Sequence, residues 1–347
     1  MSSSTGNRIT DNALKADDGR ALITRAISEI GLQYGWRPVD ERVLFSGVYY
    51  DSTKVGSHIA RVTNERDEFA VLKIQLRPLP FDEGFIMRHI QHQIKTKRIR
   101  LPMIFADAPW SEERGYGYLV LEDLSELPHL WATRPDEPAF QRHTAFLAEF
   151  MHRMLPIAPY APVPEISPKE KYRESFDHFH AIAQASDHHH IDFAEIDKMK
   201  DAYMDALEGA DFEDFHFTHG HLSGHEIVEG RAADSFILFA NLLWSFRPAY
   251  YELVFPLWVD LMGIRDMRVT REYLSKRIER WIQLWREIEM VDLNEKPTFW
   301  FSLLERSMMT VMLDLGSSEW QNPEIQEKQA LLNAWRELFY WILEKKL

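Results

Sequence analysis

The sequence predicts an α+β chain in which a small antiparallel sheet precedes a large, mainly helical region. Three observations carry that expectation. Apolar runs of strand length, separated by glycines and charged turns, cluster between Glu41 and Gln75. Helical periodicity dominates beyond Pro128. The chain has 347 residues, 45% hydrophobic and 27% charged, enough to bury the core of one two-lobed domain.

Asp17 to Tyr34 places Leu22, Ile23, Ala26, Ile27 and Ile30 at helical spacing behind an acidic start, the pattern of an amphipathic opening helix. Val43-Leu44-Phe45, His58-Ile59-Ala60-Arg61-Val62 and Phe69-Ala70-Val71-Leu72-Lys73-Ile74 read as three antiparallel strands, separated by Gly47, Gly56 and the turn Asn64 to Glu68. Phe81 to Arg98 returns to helical period, and the basic run Lys95-Thr96-Lys97-Arg98-Ile99-Arg100 suits the negative end of that helix dipole. Leu101-Pro102 breaks the pattern. Tyr116 to Leu121 is a further buried strand, running into Glu122-Asp123-Leu124. Helices follow at Glu137 to Leu155, Pro168 to Ala185, Asp192 to Leu207, Tyr250 to Met262, Thr270 to Met290, Pro297 to Leu315 and Pro323 to Lys346. Their tryptophans, including Trp258, Trp281, Trp285, Trp300, Trp335 and Trp341, fall at helical spacing and belong to a core. The expected organisation is a flexible N-terminus at 1–16, a small lobe at 17–124 and a helical lobe at 125–347 that carries a motif-rich segment at 217–253.

Composition narrows the function classes. With no cysteine, the chain has no disulfide, thiolate metal site or cysteine nucleophile. A net charge of −14 argues against a nucleic-acid partner, which rewards clustered Lys and Arg. Met1 to Asn12 lacks the apolar core of a signal peptide and no apolar run spans a bilayer, so a cytoplasmic location without membrane contact is expected.

The motif-rich segment contains Thr218-His219-Gly220-His221-Leu222, then Glu226-Ile227, Asn241, and Arg247-Pro248-Ala249-Tyr250-Tyr251-Glu252-Leu253. It resembles the catalytic core of the aminoglycoside phosphotransferase and choline kinase-like family, whose pattern is H-G-D-L-x-x-x-N-I, an apolar strand, I-D-W-E and a Y-x-D-L-A run. The resemblance implies a bilobal protein kinase-like fold, with ATP between the lobes and Mg²⁺ or Mn²⁺ on its phosphates. It also implies that Lys73 holds the phosphates with Glu83 behind it, Asp82 being the alternate partner. Main-chain groups near Glu122 and Leu124 would meet adenine, and Phe146 to His152 resembles the family's L-x-x-L-H helix. Ser46-Gly47-Val48-Tyr49 and Val55-Gly56-Ser57-His58 are both candidates for the turn that covers the phosphates.

The chain departs from the family at three chemical positions and at one bracing position. His221 stands where the family has its catalytic Asp, next to the retained His219. Glu226 stands at the metal-binding Asn and Asn241 at the metal-binding Asp, so that pair trades its single charge between positions. Glu252 replaces the Asp that braces the loop. Losing a positioned base costs about 10²- to 10⁴-fold in rate. The expectation is therefore a nucleotide-binding pseudokinase with a regulatory or docking role and a protein partner. The alternative is an active phosphotransferase with His221 as base and a small-molecule acceptor. A third reading takes His219, His221 and His225 as the zinc ligands of a hydrolase, although the spacing of the third histidine slips by one residue.

Overall fold

A computed structural model of the chain describes residues 14–39, 44–48, 51–131, 137–154, 156–185, 192–232, 234–263, 269–289, 292–315 and 325–347. Residues 1–13, Tyr49 and the run His188-His189-His190 lie outside the described residues.

In chain order the elements begin with β1 (Leu14–Lys15), α1 (Ala16–Tyr34), β2 (Arg37–Pro38), β3 (Leu44–Val48), β4 (Asp51–Thr63) and β5 (Phe69–Gln75). There follow α2 (Glu83–Gln91), β6 (Ile99–Arg100), β7 (Ile104–Ala108), β8 (Gly117–Glu122), α3 (Glu137–Met154), α4 (Pro168–Ala185) and α5 (Phe193–Gly209). The remainder is β9 (Phe215–Thr218), β10 (Ile227–Glu229), β11 (Phe236–Leu238), β12 (Ser245–Pro248), α6 (Tyr251–Met262), α7 (Arg271–Glu289), α8 (Pro297–Met309) and α9 (Ile325–Lys346). Two compact units result, Met1–Pro128 with Glu229–Leu242, and His129–Val228 with Leu243–Leu347.

The first unit is built on an antiparallel sheet of order β1-β4-β5-β8-β7, with β2 and β3 also pairing to β4. Alternation sets its buried face: Ala70, Leu72 and Ile74 of β5 and Val120 of β8 are buried with Val62 of β4. The apolar stripe of α1, Ile23, Ala26 and Ile30, closes the same cluster. Gly47 sits at a register shift in the β3–β4 hairpin, opposite Val55. The second candidate turn, 55–58, is interior to β4, so both glycine segments belong to one hairpin and only the first lies at a bulge.

The helix expected from Phe81 to Arg98 is shorter than its periodicity suggested. α2 starts at an Asp82 cap, whose carboxylate accepts from the Phe85 N–H at 2.9 Å, and ends at Gln91. The basic run therefore does not close a helix. Ile99 is fully buried where β6 pairs in parallel with β11, and Arg100 binds the Glu122 carboxylate at 2.6 and 2.7 Å. A bidentate ion pair and a strand pairing with residues far along the chain outweigh local helical period.

The second unit is helical around an aromatic core. Trp281, Trp285, Trp300 and Trp335 are all buried to within 1% exposure. Tyr172 and Tyr203 pack against Phe301 with ring centroids 4.8 and 4.9 Å away. The α-helix expected through Leu315 gives way after Met309 to a π-helical turn over Thr310–Asp314, where the Leu315 N–H reaches back to the Thr310 carbonyl at 2.9 Å. Trp258 Nε1 donates to the Thr310 hydroxyl at 2.8 Å. Among the described residues no helix is long and apolar enough to cross a membrane.

Candidate functional site

In the first unit, the pleat of β5 turns Lys73 away from the side that buries Leu72 and Ile74, and its register sets it between Ile59 and Leu119. Its Nζ lies 2.5 Å from Glu83 Oε2. Glu83 is 3% exposed at the start of α2, so the pair is a shielded ion pair rather than a solvated one. Asp82 takes the other role open to it, the N-cap, and makes no claim on Lys73.

Strand β8 ends at Glu122. Its carboxylate is taken by Arg100 and its N–H donates to the Met103 carbonyl at 2.9 Å, so both lie on the β7 side. Burial pushes the Glu122 carboxyl up, but Arg100 and the Met103 N–H outweigh it and hold the group below its ordinary value. The Leu124 carbonyl accepts from Leu127 at 3.0 Å, while the Leu124 N–H makes no hydrogen bond among the described residues. Leu124 is thus a main-chain donor left open beyond this strand. Asn241 also belongs to this unit. It is 1% exposed, follows Ala240 at a φ of 56°, and donates its amide to the Leu238 carbonyl at 2.9 Å. A left-handed alanine is strained, and the buried amide bond holds the turn in that form.

In the second unit, β9 leads into His219, which is fully buried with its ring edge-on to Trp244 at 5.6 Å. Gly220 takes a φ of +70°, and a Cβ there would lie 3.0 Å from Arg247 Nε and 3.1 Å from the Leu243 carbonyl. The next residue, His221, is half-buried with its ring 3.9 Å from that of Phe255. Its Nδ1 is 3.6 Å from Glu226 Oε1, an electrostatic contact longer than a hydrogen bond. Burial pushes the imidazole below its ordinary value, Glu226 pulls it back, and Arg306 and Arg247 lower it again. The ring is therefore neutral at pH ~7.

Two features of this loop escaped the sequence. Trp131 lies across Gly224, where a Cβ would fall 2.3 Å from the indole, and the Trp131 N–H donates to the Gly224 carbonyl at 3.0 Å. His143 on α3 donates from Nε2 to the Leu222 carbonyl at 2.8 Å, and burial pushes its pKa down to about 3. The family-like segment of α3 pointed to His152, which is exposed; the buried histidine that ties α3 to the loop is His143, about two and a half turns earlier. Glu252 does not brace the loop either. It is fully buried on α6 with Oε1 3.4 Å from His216 Nδ1 on β9.

The three loop histidines do not converge. His219 packs on Trp244, His221 on Phe255, and His225 donates to the Trp131 carbonyl at 3.1 Å while its ring meets that indole edge-on. Among the described residues no group of three or more His, Cys, Asp or Glu could hold a metal. That removes the hydrolase arrangement. At the kinase-like metal positions both residues carry oxygen donors of the kind hard cations take: Glu226 has a carboxylate 3.6 Å from His221 Nδ1, and Asn241 a buried amide whose Nδ2 donates to Leu238.

No protein-family model matches the sequence, and no curated protein is significantly similar to it. Solved structures are more informative. An amicoumacin kinase in complex with AMP-PNP and Ca²⁺ aligns over 95% of this chain and 96% of its own, at 15% identity and a TM-score of 0.57. A spectinomycin phosphotransferase in complex with ADP and spectinomycin aligns over 92% and 98%, at 12% identity and a TM-score of 0.54. A microcompartment-associated aminopropanol kinase aligns over 93% and 98%, at 10% identity and a TM-score of 0.51. The chain has the protein kinase-like fold of the aminoglycoside phosphotransferases and related small-molecule kinases.

Proposed function

We propose that the chain is a kinase-like protein that binds a nucleotide through its first unit and has lost efficient phosphoryl transfer, serving a regulatory or docking role. Retention of the Lys73–Glu83 pair at 2.5 Å supports the binding half, because a lysine held this way is presented to phosphate oxygens. The open Leu124 N–H offers a donor to an adenine edge. The observation that carries the loss of transfer is His221: a neutral imidazole against Phe255 stands where the related fold places a carboxylate base. Asn241 adds to it by offering a buried amide in place of an anion. Two of the aligned structures contain ADP or AMP-PNP, which is consistent with nucleotide use in this fold.

The test is a melting-temperature shift with ATP, with and without Mg²⁺. The expected result is a concentration-dependent rise of similar size in both, lost in Lys73→Ala, since a ligand at 100 times its Kd stabilises by about 2.7 kcal/mol. No shift at millimolar ATP removes this reading. One observation favours a second reading, an active phosphotransferase. Glu226 at 3.6 Å from Nδ1 leaves the His221 ring able to accept an acceptor hydroxyl's proton at Nε2. On that reading ATP turnover is present in the unaltered protein and falls by about 10²-fold or more in His221→Ala.

A further inference from the structure

The first unit holds a cavity of about 470 Å³, a volume suited to one small molecule. Its walls come from the start of β5, from β7, from the end of β8 and the residues after it, from the segment before β6, and from the turn that joins β10 to β11. All of these belong to the first unit. Lys73 is not a lining residue. Phe69, which is, stands four positions earlier on β5, about 13 Å along the strand.

Two phenyl rings stand exposed at this cavity, and each is held from one side. Phe69 is 45% exposed with the Arg61 guanidinium 4.1 Å from its ring centroid, and Arg61 is itself fixed by Asp123 at 2.6 Å. Phe105 is 48% exposed and stacks on Trp36, with centroids 6.0 Å apart and planes 20° apart. A ring anchored on one face and wet on the other gains free energy when its wet face is covered.

The charges around the rings are unequally spent. Glu122 gives both oxygens to Arg100 and accepts from the Met103 N–H as well, while Asp123 divides its carboxylate between Arg61 and the Ser125 N–H. Lys97 and Arg231 also line the cavity, and both are exposed. Among the described residues neither of their side chains has a hydrogen bond or an ion pair. The turn that presents Arg231 is closed by the Gly230 N–H on the Ser235 carbonyl at 2.7 Å, and the arginine's charge acts on the Glu122 carboxyl. Among the described lining residues only Glu126 keeps an unspent carboxylate, so two unspent cations face one anion.

We propose that this cavity binds a small planar aromatic ring carrying a carboxylate or phosphoryl group, the ring against Phe69 and Phe105 and the anion toward Lys97 and Arg231. The rings supply the contact area. Solvated cations add modest affinity but select the sign of the ligand's charge. The site does not rest on nucleotide binding at Lys73.

The test is a ligand-observed NMR titration of the full chain at constant ionic strength, with benzoate, phenyl phosphate and benzylamine in separate arms. At least one of the two anions is expected to bind saturably and benzylamine is not. Benzoate alone would assign a carboxylate ligand and phenyl phosphate alone a phosphoryl ligand. Lys97→Gln combined with Arg231→Gln is expected to weaken binding by about tenfold or more. Phe69→Leu and Phe105→Leu should each weaken it by about two- to tenfold, the loss of a stacked ring. All four side chains are exposed, so these substitutions leave the core intact. Lys73→Ala, while folded, should leave binding unchanged. The proposal is overturned if neither anion saturates the unaltered protein, if benzylamine binds as tightly, if the Lys97 and Arg231 double variant binds as the unaltered chain does, or if folded Lys73→Ala abolishes binding. Absence of an ATP-induced melting shift alongside saturable binding of an aromatic anion would count against the nucleotide reading alone.

Discussion

Glu305 on α8 is 7% exposed, and burial raises its carboxyl from 4.5 to about 7 against the pull of Ser175, Arg247 and Lys171. In that window the folded chain keeps a proton that the unfolded chain has released. Stability therefore falls as pH rises from 4.5 to about 7 and stays reduced above it. Glu305→Gln removes the titration, so the variant should gain on the unaltered protein with rising pH, by roughly 3 kcal/mol at alkaline pH. Urea melts of both proteins on either side of that window check this; parallel curves would mean that Glu305 titrates normally. His143 acts in the opposite sense. Its pKa is pushed from 6.5 to about 3, so its share of stability is lost as pH falls below 6.5. Neither group was legible in the sequence, because each shift comes from burial inside the packed helical unit, which local spacing does not reveal.

At the scale of elements, the loop between β9 and β10 owes its shape to what lies on it. Gly224 admits the indole of Trp131, which is 1% exposed and has nowhere to retreat. Gly224→Ala should lower stability by about 1–3 kcal/mol through overpacking, read as a drop in the urea midpoint with an unchanged slope. An unchanged midpoint would show that Trp131 does not rest there. The long helices were legible because period and punctuation agree, as at Pro168–Ala185, where proline suits a first turn. The two-residue strand β6 was not legible, since its partner β11 lies far downstream and its length carries no period. The π-helical turn after Met309 was equally hidden, because apolar spacing continues through it and only the Trp258–Thr310 contact marks the change.

Across the whole molecule, the order of Lys73, Glu83, the strand ending at Glu122 and the His-Gly loop made the kinase-like fold legible, and the aligned structures carry the same fold over more than nine-tenths of the chain. What the sequence could not supply was the state of the substituted positions. Glu226 and Asn241 read as a charge-conserving exchange, yet Asn241 is buried on a main-chain carbonyl and Glu226 leans toward an imidazole. Restoring all three family residues, His221→Asp with Glu226→Asn and Asn241→Asp, is therefore the variant that separates lost chemistry from a lost pocket. The most direct test is ATP turnover by the unaltered chain beside this triple variant and His221→Ala, with Mg²⁺ present. The account predicts release of phosphate by the unaltered chain at the protein-free rate and measurable turnover in the triple variant. Turnover by the unaltered chain that His221→Ala abolishes would contradict it.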